Sequence, residues 1–270
     1  MKTYSLDMPS NSRHKLLATV LLTLAIMTSN SWADEIQSKG VNPADIDTRI
    51  DIINDNVRLK GGGQTNTTTF KFDKKLDSQS GFNIEMPFLI NINSPSYSTQ
   101  GNGDLFTRYR YMIPVNGWTL GLSGEVVLPI ATEPALGKNK YLVGVGGLAV
   151  KPWSKDFITA FVIKQTQSLG GYNQSLNPSA NISSAANSQS NYTSSEIRFM
   201  PIFVLSDGWA VVADARQYWG QIPNSAKWTI LKVDLNKQIT QNWATTIGLS
   251  KTFDALADRG ALSASVKYFF

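Results

Sequence analysis

Along most of the chain, short polar turns are each followed by an aromatic residue and then by a run alternating in polarity. The cases are SQSG before Phe82, PVNG before Trp118, SKD before Phe157, SDG before Trp209 and TQN before Trp243. After Phe82 the apolar set is Ile84, Met86, Phe88 and Ile90, against Asn83 and Glu85. Leu120 and Leu122 then alternate with Thr119, Ser123 and Glu125; Val211, Ala213 and Ala215 with Asp214 and Arg216; Ile247 and Leu249 with Thr246 and Ser250. Period-two alternation marks a strand with one apolar and one polar face. Each opening aromatic shares the parity of the apolar face.

A soluble sandwich also alternates, but nothing in it sorts connections into short and long classes. Here the turns before the aromatics are tight, whereas 91–103, 131–139 and 170–191 read as long polar loops. That asymmetry predicts an all-β, antiparallel transmembrane barrel, with the aromatics as a girdle at the short-turn interface. The predicted strands number twelve: 56–62, 66–76, 81–92, 103–114, 117–131, 140–152, 156–169, 192–205, 208–219, 226–238, 242–253 and 260–270. An even count places both termini on the short-turn, periplasmic side. Residues 44–53, ADIDTRIDII, fit a strand or a small helix equally, since Ile46, Ile50 and Ile53 also satisfy helical spacing. The last strand alternates Leu262, Ala264, Val266, Tyr268 and Phe270 with Ala261, Ser263, Ser265 and Lys267, so Phe270 joins the girdle of Phe82, Trp118, Phe157, Trp209 and Trp243.

The start changes the chemistry on offer. Arg13, His14 and Lys15 precede an apolar run from Leu16 to Met27 and a small-x-small site, Ser31-Trp32-Ala33, which reads as an export signal. The run is shorter than the ~20 residues a spanning helix needs. The expected organisation is a signal peptide over 1–33, a periplasmic segment over 34–55 and a barrel over 56–270. Without the signal, 22 basic and 19 acidic residues remain, net +3, too weak a bias to suggest nucleic acid. The one histidine, His14, leaves with the signal, and cysteine is absent. Histidine-based triads and His or Cys metal ligands are thereby excluded from the exported part, so neither an enzyme, a cofactor nor a metal site is expected.

Strand parity sends the charged residues to the lumen. They include Lys71, Asp73, Glu85, Arg108, Arg110, Glu125, Lys164, Glu196, Arg198, Asp214, Arg216, Lys232, Asp234 and Lys267. Glu85, the Arg108/Arg110 pair and Glu125 fall on consecutive strands at similar distances from their turns and could meet across the wall. Two readings stay open: a constriction of facing charges that selects solute, or an ion-pair lattice that fills the barrel and stiffens it. Twelve strands lie between side-chain-filled barrels and open channels. GVGGLA, Gly144 to Ala149, fits a nucleotide-binding glycine pattern but lacks a following helix, and glycines in a strand more often permit close backbone approach. Lys251 has lipid-facing parity near the far interface, where a lysine snorkels.

The stretch from Gly103 to Val150 resembles the outer-membrane barrel family of the phenol-degradation meta-pathway and related transport barrels. The shared features are Gly103-Asp104-Leu105 opening a strand, a glycine-rich strand ending Leu128-Pro129, a loop carrying Gly137 and a second glycine-rich strand. The stretch EIRFMPIFVLSDGWAVVADARQYWG, starting at Glu196, is similar too; Ile130 stands where the family often has threonine. The resemblance implies a channel for small molecules, aromatic or apolar ones among them, in the outer membrane of a Gram-negative bacterium. The terminal strand resembles the assembly signal of such barrels. Expected partners are outer-membrane lipid and lipopolysaccharide, the assembly machinery through the C-terminal strand, and a small solute. The competing expectation is a closed structural or adhesive barrel with an ion-pair-filled lumen.

Overall fold

The computed structural model describes residues 39–59, 62–95, 97–169, 193–220, 227–254 and 259–270. The expected signal peptide over 1–33 and the loop from Gly170 to Asn191 lie outside the described residues. The strand segments are β1 (Arg49–Arg58), β2 (Gln64–Lys75), β3 (Ser80–Ser94), β4 (Tyr97–Gly101), β5 (Leu105–Val115), β6 (Trp118–Leu128) and β7 (Leu142–Pro152). They continue with β8 (Phe157–Ser168), β9 (Thr193–Val204), β10 (Trp209–Gly220), β11 (Lys227–Gln238), β12 (Trp243–Asp254) and β13 (Arg259–Phe269). Every pairing is antiparallel. Segments β4 and β5 run in line along β3, where Ile90 faces Gly101 and Glu85 faces Phe106, so the wall is twelve strands round.

Closure is complete. β13 pairs with β1 from Arg49↔Phe269 to Arg58↔Gly260, and β2 pairs with β3, which closes the ring and leaves only the short β4 with a single partner. An unpaired edge in hydrocarbon would cost several kcal/mol for each unsatisfied group. The tight turns carry the backbone chemistry their sequences advertise: Asn116 and Gly117 take φ of 48° and 74°, and Asp207 and Gly208 take 56° and 71°. Positive φ at consecutive Asn-Gly or Asp-Gly positions matches the right-handed twist of the flanking strands. Outside, Leu122, Val145, Ile163 and Leu249 are each more than 60% exposed, an apolar exterior that water would penalise and acyl chains would not. No helix among the described residues is long and apolar enough to cross a membrane.

Three expectations need correction. The first strand begins at Arg49 rather than at residue 56, so 49–55 belong to the wall and not to a preceding segment. Helical spacing of the isoleucines loses because β13 and β2 offer partners to both edges of this stretch. The expected long loop over 91–103 is instead mostly a hairpin, with β3 running on to Ser94 and β4 returning from Tyr97. Finally, Ile90 faces inward at 8% exposure, not outward with Ile84 and Met86. A bulge opposite Thr68 and Thr69 inserts Phe88 between Pro87 and Leu89, so Phe88 and Leu89 both face out and the parity flips beyond them. Proline lacks an amide hydrogen for the ladder, and bulges are where strands accommodate it.

The break in the fourth wall strand positions an outer loop. At residues 102–104 the ladder lapses: the Gly103 amide donates to Pro87 O at 2.7 Å, and Asp104 accepts from the Ala131 and Lys138 amides. A Cβ on Gly137 would collide with the Asp104 carboxylate. The glycine, aspartate and loop glycine behind the family resemblance therefore meet in one place.

Candidate functional site

The lumen is built around three carboxylates, each shared by more than one cation. Asp73 on β2 faces Arg49 at 2.9 Å, Lys71 at 3.5 Å and Arg110 at 3.8 Å. Glu125 on β6 meets Arg108 at 2.7 Å and Lys164 at 2.5 Å. Asp214 on β10 accepts two hydrogen bonds from Arg198, at 2.8 and 2.6 Å, and two from Arg216, at 2.9 and 2.6 Å. Lesser pairs are Lys71 with Glu85 at 3.6 Å and Lys232 with Asp234 at 3.0 Å. Such sharing follows from reach. A short aspartate stays at the wall, while arginine and lysine arms extend from several strands to find it.

All the charged positions assigned to the lumen by parity lie on the inner face, but Glu85, Arg108, Arg110 and Glu125 do not form one cluster. Arg108 and Glu125 are register partners and pair directly. Arg110, whose register partner is Ser123, instead turns toward Asp73 and donates to Pro43 O at 3.3 Å, while Glu85 goes to Lys71. Parity reasoning missed Arg49 and Asp51, whose stretch was ambiguous between helix and strand. The signal was present as charge at every second position, Asp47, Arg49 and Asp51, beside Ile50 and Ile52.

Strand β7 shows why the glycine pattern belongs here. Gly144 stands between Glu125 and Thr166, and Gly146 between Ser123 and Lys164. With no inward side chain on β7 at these two positions, Lys164 reaches over bare backbone from β8 to Glu125 on β6. A Cβ at Gly146 would lie 2.6 Å from Ser123 Oγ, so the bridge depends on the missing side chain.

Residues ahead of β1 cross the short-turn end of the lumen. The Lys39 amide donates to Gln238 Oε1 at 3.2 Å on one side of the barrel, and Ala44 packs with Val150, Ala160 and Met200 on another. Ile46 is buried against Gly81, where a Cβ would collide with it, and Thr48 Oγ1 accepts from the Lys75 amide at 3.2 Å. The segment and the inner wall together enclose a cavity of about 350 Å³ bordered by Asn42, Pro43, Arg108, Lys164 and Lys267 among others. A second cavity of about 180 Å³ adjoins it toward the long-loop end, between Phe106 and Tyr218, and Glu125, Lys164 and Glu196 border both.

Asp45 sits in this segment, and its enclosure by the barrel followed by the charge of Asp47 pushes its carboxyl from 3.8 up to about 6. Arg49, the Asn42 side chain and Arg110 pull the other way. A raised carboxyl pKa means the seated segment binds more protons than the released one, so seating is strongest below 3.8 and weakens as pH rises through about 6. Conductance across a bilayer should therefore be higher near pH 7.5 than near pH 5, and Asp45→Asn should flatten that difference; an unchanged pH profile in Asp45→Asn contradicts this role.

The six girdle residues all lie at the short-turn end of the outer surface. Phe157 stacks on Phe203 with centroids 5.1 Å apart, Trp243 contacts Tyr268 at 4.8 Å, and Tyr268 contacts Phe270 at 5.0 Å. Lys151 lies over Trp118 at 5.5 Å and Lys237 over Trp209 at 4.9 Å, and Phe82 packs against Phe72. At the other end Lys251 is exposed and lies over Phe253.

In comparisons of sequence, no family model and no curated protein matches the chain. Solved structures do match in shape. An outer membrane channel from Pseudomonas putida F1 superposes with a TM-score of 0.62 at 14% identity, over 87% of this chain and all of that one. The NanC porin follows at 0.60 and 12% identity, over 81% of this chain and 98% of its own. The translocator domain of the autotransporter NalP from Neisseria meningitidis gives 0.54 at 9% identity, over 96% and 98%. The fold is that of outer-membrane barrels, in keeping with the resemblance read from the sequence.

Proposed function

We propose that the chain is a passive, porin-like channel in the outer membrane of a Gram-negative bacterium, carrying small solutes down their gradients. The observation that carries this reading is a closed wall, greasy outside, around a water-accessible cavity lined by charged side chains. Charges facing a core would be fully buried; here Arg108 and Arg198, though paired, keep 31% and 28% of their side chains exposed and border the cavity. The likeness in shape to a channel and to porins supports it. The short turns and both ends of the described chain would face the periplasm, with the girdle at the headgroup level and the terminal strand read by the assembly machinery. The lipid contacts would be outer-membrane phospholipid and lipopolysaccharide.

The competing reading, a closed structural or adhesive barrel, draws on the segment that lies across the lumen. Planar-bilayer recording separates the two. Discrete conductance steps from protein whose unheated gel migration shows a folded barrel are expected; silence from the same folded protein, with the lumen segment replaced as described in the Discussion, overturns the channel.

A further inference from the structure

The charges inside the barrel are not evenly presented to a passing solute. Eight basic side chains border the larger cavity, against five acidic ones, among the described residues. Elsewhere in the lumen acids and bases balance better, because Asp73 and Asp214 are 2% and 3% exposed and lie behind the arms that hold them. Neither borders the cavity. The cause is length: an aspartate ends near the backbone, while arginine and lysine carry their charge toward the axis. A solute in the cavity thus meets the cationic surplus rather than the near-neutral total.

The surplus lies on the larger cavity's side of the layer between the two, since the smaller cavity is lined by one base, Lys164, against Glu125 and Glu196. There Arg108 and Lys164 share Glu125, and Arg198 and Arg216 share Asp214. Glu196 is, with Glu125, one of the two acids that border both cavities. It is 9% exposed, borders both cavities and makes no ion pair or hydrogen bond among the described residues. Its register partner across β8 is Lys164, which spends its contact on Glu125 instead. Of the charged side chains of that layer, Arg108, Lys164 and Arg198 border the larger cavity with Glu125 and Glu196, three cations to two carboxylates. The ring of Phe106 lies beneath both Arg108, at 4.9 Å, and Lys164, at 5.6 Å, and borders the smaller cavity opposite Tyr218.

We infer that the lumen selects small anions, and that its preferred organic solutes are monocarboxylates with a planar apolar body. The inference rests on the channel reading above. The carboxylate would lie by Arg108 and Lys164, with the body between Phe106 and Tyr218. Glu196 keeps the stay short: a site that conducts must attract enough to admit and not enough to retain. Low-dielectric walls focus the field of the surplus, which raises the local anion concentration.

The experiment is the reversal potential of the full-length mature protein in a planar bilayer under a potassium chloride gradient, followed by flux into liposomes of benzoate, benzyl alcohol and benzylamine. The expected results are a chloride-over-potassium permeability ratio above one and benzoate the fastest of the three. Arg108→Gln should lower the permeability ratio by about twofold or more, and Glu196→Gln, which breaks no contact and so endangers no fold, should raise it. A conducting channel with a ratio at or below one, or with benzylamine faster than benzoate, overturns anion selection while leaving the channel intact. A ratio that does not move in Glu196→Gln and Arg108→Gln overturns the assignment to this layer. Silence in folded protein that persists when Val41–Ala44 are replaced by glycine and serine overturns the channel and the selectivity together.

Discussion

Replacing Val41–Ala44 with glycine and serine should raise single-channel conductance several-fold. These residues lie across the short-turn end of the lumen, held by the Arg110 guanidinium on Pro43 O and by the packing of Ala44 beneath Met200. Their contacts are modest: one side-chain bond of 3.3 Å and a small apolar patch. The wall does not depend on them, since each strand finds its partners without the segment. The substituted protein should accordingly fold, show a heat-sensitive gel shift like the parent and pass current through a wider path. Conductance equal to the parent's would mean that the narrowest point lies elsewhere, with the layer of Glu125, Lys164 and Glu196 the next candidate.

Asp73→Asn should destabilise the barrel by about 3–5 kcal/mol, the usual cost of removing one partner from a buried ion cluster. Asparagine keeps the shape but leaves Arg49, Lys71 and Arg110 without their common counter-charge, in a place where Asp73 is 2% exposed. Asp234→Asn is the contrast. Its pair with Lys232 is single and its side chain is 18% exposed, so a loss of about 1 kcal/mol or less is expected. Equilibrium unfolding in denaturant from lipid vesicles measures both; equal losses would refute the distinction between hub and peripheral pair. Asp73→Asn should also loosen the lumen segment, because Arg110 serves both.

Much of this was legible from alternation alone, for a physical reason. A membrane wall one residue thick forces each side chain to face lipid or lumen, so parity at Trp118, Trp209 and Trp243 carries straight through to Leu120, Val211 and Ile247. Parity fails where backbone geometry intervenes. The bulge at Phe88 exchanges the two faces, so Ile90 could not be placed by counting. At Arg49–Arg58 the isoleucines served two periods at once, and only the pairing with β13 decides between them. Which charges meet was less legible still. Arg108 and Glu125 are neighbours in register, but the bridge from Lys164 to Glu125 needs two glycines on the strand between, and Arg110 reaches toward a segment whose position no periodicity encodes.

The penultimate residue has a consequence for how the molecule is made. Phe269, 3% exposed, turns inward beside Arg49, its ring 5.9 Å from the guanidinium, and a Cβ on Gly40 would strike that ring. The stave that seals the cask thus also carries the peg on which the leading stretch hangs. That hold exists only once the cylinder is shut, so the stretch can lodge no sooner than sealing, and it can leave its rest afterwards with the staves still joined.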